Sequence, residues 1–265
     1  MVHKLDGGNG RFNRLLEGVA PTEPRLPLVH TTDAFQFLGM MEGGSITPQD
    51  CPVFEGEALT YYFYGRPAFR PNAHEEATGL EHYFPVCLIF KPSTAVAIRR
   101  VFPFDSGAFH GGHYAAYVHR HMKLGDFALE IDPSTPAKIV TRFYGSNEAY
   151  LFSKDPVDNV PADQLEARSY VGLAAAKGGN AVDSRGSGVE VQGEVSLNLD
   201  ACLEAVILPV SFVKTATGDR LRSKGIEVLG YATMGRMKPS EHMGSITEVC
   251  ASYYARRKLI SSEPT

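Results

Sequence analysis

The stretch that decides the fold reads Asp183-Ser-Arg185-Gly-Ser187-Gly-Val-Glu190-Val-Gln192. From residue 189 onward, odd positions are mostly apolar and even positions are polar. The apolar residues are Val189, Val191, Val195, Leu197 and Leu199, and the polar residues are Glu190, Gln192, Glu194, Ser196 and Asn198. This period of two predicts a β-strand with one face in the core and a polar face in water. Rigid β-structure can hold the Glu190 carboxylate against one atom of a ligand. An ordinary half-exposed antiparallel strand gives the same pattern, so both interpretations stay open.

Size and composition indicate a folded, globular protein. The 265 residues are 43% hydrophobic and 21% charged, which is enough apolar material for a sizeable core. The net charge of −4 excludes an overall basic nucleic-acid coat, although it allows a local basic patch. The cysteines form no CxxC pair, and residues 1–20 lack the apolar core of a secretory signal. We therefore predict a cytoplasmic protein with reduced thiols and no membrane span.

The order of predicted elements indicates the α+β class. Strands are predicted at 26–30, 59–64, 83–90, 95–102 and 203–209, and helices at 34–41, 114–121, 136–145, 161–176 and 240–258. Strands and helices do not alternate regularly, and no Gly-rich phosphate loop follows a strand, so a doubly wound fold is excluded. Residues 1–25 are predicted to be a flexible arm, and residues 178–188 a mobile loop.

Two further segments carry side chains that could meet a ligand. Residues 28–33 bring His30 to the point where a strand turns into a helix, although a strand-end histidine is often structural. Residues 61–70 are rich in aromatic and basic side chains, which could hold a flat ring and a phosphate. An aromatic core strand with surface arginines is the alternative. The candidates of this second segment are Tyr62, Tyr64, Arg66 and Arg70.

In this order the three segments resemble the ADP-ribosyltransferase superfamily, in the DarT-type bacterial toxin branch, whose triad is histidine, tyrosine or arginine, then glutamate. The resemblance covers residues 26–70 and 183–213. Residues 85–160 do not align with that family, and the segment Phe102-Pro-Phe-Asp-Ser-Gly-Ala-Phe109 is typical of some other subgroup. The resemblance implies a split mixed or antiparallel β-sandwich with flanking helices, with residues 26–260 as a single catalytic domain.

The resemblance also implies the chemistry. NAD+ is the expected substrate, and the bond between nicotinamide and ribose is the bond cleaved. Glu190 is expected to bond the 2′-hydroxyl of that ribose and to stabilise the developing positive charge, with Tyr62 and Arg66 completing the catalytic set. The expected cofactor-binding residues are His30, Thr31, Thr32, Tyr64, Arg70, Arg185 and Ser187. We expect His30, the tyrosine-rich strand and Glu190 to line one crevice.

The resemblance leaves the acceptor open. A nucleic acid or a protein could receive the ADP-ribose, in the setting of a bacterial toxin or an anti-phage effector. With water as the acceptor, the protein would instead be an NAD+ glycohydrolase. A non-catalytic nucleotide-binding module is the third possibility.

Two rival sets of residues stay open. Glu166 could be the catalytic carboxylate, but it lies on a predicted helix, where a solvated glutamate is usual, so it ranks second. Four histidines within twelve residues would suit a metal-dependent hydrolase: His110, His113, His119 and His121. Because His119 and His121 would face different sides of a helix, we predict no metal ligand.

Overall fold

The computed structural model describes residues 7–69, 75–157, 159–176 and 184–261. The described residues form two compact units. Unit 1 draws on Met1–Leu26, Pro48–Tyr64 and Ala97–Val195, and unit 2 draws on Pro27–Thr47, Gly65–Val96 and Ser196–Thr265. No boundary in the sequence indicates this division, and the assignment of residues 26–260 to a single catalytic domain stays a prediction.

The strands and helices have the following bounds. The strands are β1 (Leu28–Asp33), β2 (Ser45–Ile46), β3 (Gln49–Asp50), β4 (Ala58–Tyr64), β5 (Pro85–Phe90), β6 (Ile98–Phe102), β7 (Glu190–Gly193), β8 (Leu197–Asn198), β9 (Leu203–Pro209) and β10 (Glu227–Tyr231). The α-helices are α1 (Arg11–Arg14), α2 (Ala34–Gly43), α3 (Ser106–His110), α4 (Thr135–Phe143), α5 (Asn147–Leu151), α6 (Leu165–Ala174), α7 (Leu199–Cys202), α8 (Val210–Val213), α9 (Ala216–Ser223) and α10 (Met243–Arg256). Short 3-10 turns lie at Glu81–Tyr83, Leu124–Phe127, Ser184–Ser187 and Pro239–His242.

An antiparallel sheet in the order β3–β4–β7–β6 forms the centre of the described part of unit 1. Residues directly opposite one another on neighbouring strands share a face of the sheet. Glu190 therefore lies between Phe63 of β4 and Phe102 of β6, and Gln192 lies between Tyr61 and Arg100. The strand that carries Glu190 is thus an inner strand with a partner on each side.

The segment predicted as a flexible arm is packed over residues 7–25. Helix α1 places Phe12 in the core, and its ring lies 5.8 Å from Phe127, 5.7 Å from Phe143 and 5.7 Å from Tyr170, measured between centroids. The Thr22 amide also donates to the carbonyl of Ala137 in α4. Phe12 and Leu16 of this segment belong to the core of unit 1, and the buried aromatic surface of Phe12 fixes the short helix.

Unit 2 contains a mixed sheet in the order β10–β9–β5–β1 over its described residues. β9 and β10 run parallel, and the other pairs are antiparallel. All residues of β5 are buried, and α10 packs on this sheet with Ile246, Cys250 and Tyr254 inward. The mixture of strands and helices agrees with the predicted α+β class, while the split sandwich of ADP-ribosyltransferases stays a prediction.

The predicted helix over residues 114–121 is wrong. This segment consists of turns, with isolated bonds such as Tyr117 N to Tyr114 O and Met122 N to His119 O. The glycine pair before it favours a turn, since Gly112 adopts a φ of +75°. The helices predicted at 34–41, 136–145 and 161–176 are confirmed as α2, α4 and α6.

The sequence also favours Ser240 as the cap of the last helix, and this prediction is wrong. Ser240 lies in a 3-10 turn, and its amide donates to the Glu75 carboxylate at 2.9 Å, so α10 begins only at Met243. By contrast, the sequence offers Thr32 or Asp33 as the cap of α2, and Asp33 fills this role by accepting from the Gln36 amide at 2.8 Å. A serine that is engaged by a distant acid is not available to its own helix.

Two expectations from composition can be compared with the structure. The four cysteines carry free thiols, as predicted. No helix among the described residues combines the length and the apolar character that a bilayer crossing requires.

We predict that Phe12→Ala lowers the free energy of unfolding by about 3–5 kcal/mol, because it leaves a cavity among three aromatic rings. Phe35→Ala is the matched control, since Phe35 is 68% exposed and its loss should change stability by no more than about 0.5 kcal/mol. Denaturant unfolding of both variants measures the difference. Equal stability of the two variants would show that the N-terminal segment is loose in solution.

Candidate functional site

The polar face of β7, predicted to be wet, is buried. Glu190 is 1% exposed and Gln192 is 0% exposed, although the alternation of the sequence is present. The prediction of a wet face fails because β7 is an inner strand and the segment that follows β6 covers this face. Glu190 is consequently a carboxyl group between two phenylalanines, Phe63 and Phe102, without contact with bulk water.

Hydrogen-bond donors from two elements hold the Glu190 carboxyl group. The Ser106 backbone N–H donates to Oε2 at 3.1 Å, and the Ser106 hydroxyl donates to Oε1 at 2.8 Å. Gln192 Nε2 donates to Oε1 at 2.7 Å and to Ser106 Oγ at 3.1 Å. Ser106 is the first residue of α3, so the turn after β6 carries its hydroxyl to the head of β7.

Burial controls the proton on this group. Loss of water, and next the charge of Asp105, raise the pKa of Glu190 to about 8, although the bonds from Gln192 and Ser106 act in the opposite direction. The carboxyl group is therefore mainly uncharged at neutral pH in this closed arrangement. A positive charge placed beside it would favour the ionised form.

A polar chain leads from Gln192 towards the rim of unit 1. Arg100 Nη1 donates to Gln192 Oε1 at 3.3 Å and to Glu57 Oε2 at 2.9 Å. The Arg100 guanidinium also lies 3.9 Å from the ring centroid of Phe54. The bond from Arg100 lowers the pKa of Glu57, so Glu57 and Arg100 form an ion pair.

The turn before α3 is fixed by Asp105. Its Oδ1 accepts from the Ala108 amide at 2.6 Å, and its Oδ2 accepts from Arg185 Nη1 at 3.3 Å. Arg185 and Ser187, both expected to bind cofactor, are buried in the 3-10 turn Ser184–Ser187. Of the loop predicted over 178–188, residues 178–183 lie outside the described residues.

Tyr61 is the tyrosine on the Glu190 face, and the sequence analysis missed it. Tyr62 and Tyr64 are buried on the opposite face, where the Tyr64 hydroxyl accepts from the Leu26 amide at 2.9 Å. Tyr61 pairs with Cys51 Sγ at 2.6 Å. Burial, that bond and the charge of Glu190 all raise the pKa of Tyr61. Strand parity separates Tyr61 and Phe63 from Tyr62 and Tyr64, but only the pairing of β4 with β7 shows which pair shares the Glu190 face.

The remaining cofactor candidates, and Arg66 of the expected catalytic set, lie in unit 2 or outside the described residues. His30, Thr31 and Thr32 are half-buried on β1, opposite Leu88, Cys87 and Val86 of β5. Arg66 is buried. Arg70 lies outside the described residues. Since His30 and Glu190 belong to different units, the expected shared crevice stays a prediction.

Glu166, predicted to be solvated, is buried in unit 1. Arg11 Nε donates to Oε2 at 3.2 Å, and Asn9 Nδ2 donates to Oε1 at 2.8 Å. Burial acts to raise the pKa of Glu166, but the bonds from Arg11 and Asn9 outweigh it, and the pKa is lowered. The helix prediction was right and the solvated face was wrong, because residues of the predicted arm cover it.

The histidine segment lies beside a cavity of about 620 Å³ in unit 1. Its lining includes Arg11, Tyr117, His119, His121, Asp126 and Glu166. The four histidines of residues 110–121 are exposed or lie at the surface, and among the described residues no three His, Cys, Asp or Glu side chains are placed to share a metal ion. The metal-dependent hydrolase therefore gains no support from the described residues.

We predict that the stability of the protein falls as pH rises, through Glu190. The pKa of about 8 in the folded protein lies above the ordinary value of 4.5, so the folded state holds an extra proton between these values. This contribution is complete below pH 4.5 and is lost at about 1.4 kcal/mol per pH unit, or roughly 4 kcal/mol from pH 5 to 8.

Denaturant unfolding at pH 5, 6, 7 and 8 measures this slope. Glu190→Gln carries no titrating proton and should lack the Glu190 share of the slope, whereas Glu166→Gln should keep it. An identical slope in the wild type and Glu190→Gln would contradict the assignment.

No protein-family model, no curated protein and no solved structure matches this chain. Membership of the ADP-ribosyltransferase superfamily therefore stays a prediction from the resemblance, and the function has to be argued from the geometry around Glu190.

Proposed function

We propose that the protein is an NAD+-dependent mono-ADP-ribosyltransferase with Glu190 as its catalytic carboxylate. The observation that carries the proposal is the Glu190 carboxyl group, which is shielded from water at the head of β7 and held by Ser106 and Gln192. In a site of low dielectric constant, a carboxylate stabilises a nearby positive charge far more strongly than it does in water. The ribose carbon acquires such a charge when nicotinamide leaves.

The proposed reaction uses one bond cleavage and one bond formation. The bond between C1′ of the ribose and the nicotinamide nitrogen breaks, and its electron pair stays on nicotinamide. Glu190 accepts a hydrogen bond from the 2′-hydroxyl and opposes the charge at C1′. The nucleophile of the acceptor then forms the new bond at C1′ and releases its proton to water.

Ser106 supports the part of this proposal that concerns the 2′-hydroxyl. Its hydroxyl donates to Glu190 Oε1 at 2.8 Å, which is the contact that a substrate hydroxyl would make. We propose that the ribose hydroxyl replaces the Ser106 hydroxyl. Because Glu190 is closed off from solvent, this exchange requires the first turn of α3 to move away from the carboxylate.

The other parts of the resemblance are kept as proposals. His30, Thr31 and Thr32 on β1 are proposed to contact NAD+, and a nucleic acid or a protein is proposed as the acceptor. Tyr61 is added because its phenol lies on the Glu190 face. An NAD+ glycohydrolase differs only in the acceptor, so the products distinguish it.

We predict that purified protein releases nicotinamide from NAD+ and that Glu190→Gln lowers the rate by at least about 100-fold, the usual cost of removing one electrostatic partner of a transition state. Liquid chromatography of nicotinamide and ADP-ribose measures both products. Accumulation of free ADP-ribose without an added acceptor would identify the glycohydrolase.

The matched control is Glu166→Gln, which replaces a carboxylate with the same 1% exposure in the same unit. It should retain most of the activity if the protein stays folded. Activity of Glu190→Gln equal to that of the wild type would refute the catalytic role, and loss of activity only in Glu166→Gln would transfer the role to Glu166.

A further inference from the structure

We propose that Arg100 and Gln192 are positioning residues for Glu190: Arg100 fixes the orientation of the Gln192 side-chain amide, and the amide in turn presents its NH₂ group to the carboxylate. The catalytic meaning of this inference rests on the proposed function. The positioning itself does not, because it concerns only the protonation of Glu190.

The chemistry of the two side chains sets the orientation. A guanidinium group has only hydrogen-bond donors, so the Gln192 atom that faces Arg100 Nη1 at 3.3 Å must be the amide oxygen. The amide NH₂ then lies at the other end, 2.7 Å from Glu190 Oε1 and 3.1 Å from Ser106 Oγ. Without Arg100, nothing in this contact would distinguish the oxygen of the amide from its nitrogen.

Arg100 is itself held in place. Its two Nη atoms bond the two carboxylate oxygens of Glu57, and the guanidinium lies over the Phe54 ring. Such a bidentate pair restricts the plane of the guanidinium as well as its position. Since Gln192 is fully buried, water does not compete for either end of its amide.

Reversal of the Gln192 side-chain amide would change the protonation equilibrium of Glu190. With NH₂ towards Glu190, the ionised carboxylate receives a donor, which favours the charged form. With the carbonyl oxygen towards Glu190, the carboxyl group must supply the proton of the contact, which favours the uncharged form. Arg100 therefore acts on Glu190 through Gln192.

Asp105 and Tyr61, the other titratable groups around Glu190, keep their contacts in the test. Glu57 loses one of its two arginines in Arg100→Met and the other in Arg99→Met, so the comparison of these variants accounts for its effect. Asp105, which is paired with Arg185, approaches Glu190 from the turn before α3, and Tyr61 approaches from β4. Neither side chain bonds Gln192 in the contacts given above. A change in Arg100 or Gln192 leaves these groups in place.

The experiment is a titration of Glu190 in protein labelled with ¹³C at the glutamate side-chain carboxyl, followed by NMR and assigned by the signal that Glu190→Gln removes. Gln192→Leu and Arg100→Met should each raise the titration midpoint by about one pH unit or more. The first removes a donor to the ionised carboxylate, and the second frees the Gln192 amide to turn its carbonyl oxygen towards it. Arg100→Lys, which also only donates, should stay near the wild type. In Gln192→Leu with Arg100→Met, the second change should add little.

Arg99→Met is the matched control. Arg99 also bonds Glu57, at 3.3 Å, but forms no hydrogen bond with Gln192 among the described residues, so its loss should leave the titration of Glu190 unchanged. A wild-type midpoint in Gln192→Leu would overturn the proposal. Equal shifts in Arg99→Met and Arg100→Met, or fully additive shifts in the double variant, would also overturn it.

Two arrangements keep the test decisive. If Gln192→Leu does not fold, the pair Arg100→Met and Arg100→Lys decides, because only the first loses the donor. The titration needs no NAD+, so absence of NAD+ cleavage would refute the proposed function without affecting this inference. Normal titration of Glu190 in Arg100→Met and Gln192→Leu would refute this inference and leave the proposed function standing.

Discussion

The removal of the Glu190 carboxyl group from water constrains the rest of unit 1. An ionised carboxylate without partners in an apolar interior costs on the order of several kcal/mol, so folding must either neutralise it or surround it with donors. This protein does both, because burial keeps the proton on the acid and Ser106 and Gln192 supply donors. Each donor then needs its own support, from Asp105 for the first turn of α3 and from Arg100 for the Gln192 amide.

The two buried glutamates of unit 1 show how a neighbouring cation affects the pKa of a buried carboxyl group. Glu166 and Glu190 are both 1% exposed, but the pKa of Glu166 is lowered, while that of Glu190, which lies deeper and beside Asp105, is raised. Arg11 bonds both oxygens of Glu166, whereas the nearest guanidinium of the polar chain reaches Glu190 only through the Gln192 amide. Glu166 therefore already has its positive partner, and Glu190 retains the capacity to meet one.

Periodicity predicted the strands and most of the long helices, because residues that share a face repeat at a fixed spacing. It could not predict what covers a face. The even positions of β7 are polar whether water or another segment lies over them, and Ser106, which covers Glu190, is 84 positions away in the chain. The same limit hid Arg100, whose link to Gln192 follows only from the pairing of β6 with β7.

The structure places Tyr62, Tyr64 and Glu166 in surroundings that the sequence analysis did not predict, and the physical reason is the same for all three. The sequence contained the parity that separates Tyr61 from Tyr62, but choosing the face of β4 requires knowing that β7 lies beside it. Glu166 was assigned to solvent for a similar reason, since residues 9 and 11 cover it from a segment that composition describes as loose. The local sequence pattern shows which side chains share a face of a strand or helix, and long-range pairing decides what that face contacts.

Under the proposed function, opening of the site and ionisation of Glu190 are linked. The closed arrangement, with Ser106 on the carboxyl group, favours the uncharged acid because water is excluded. A ligand that carries positive charge favours the ionised acid and needs the position that Ser106 occupies. Such a ligand therefore favours both the open site and the ionised carboxylate. The size of this effect depends on how much more tightly the ligand binds the open, ionised state than the closed one. The resting protein would in this way keep the Glu190 carboxyl group covered until the ligand that uses it is bound.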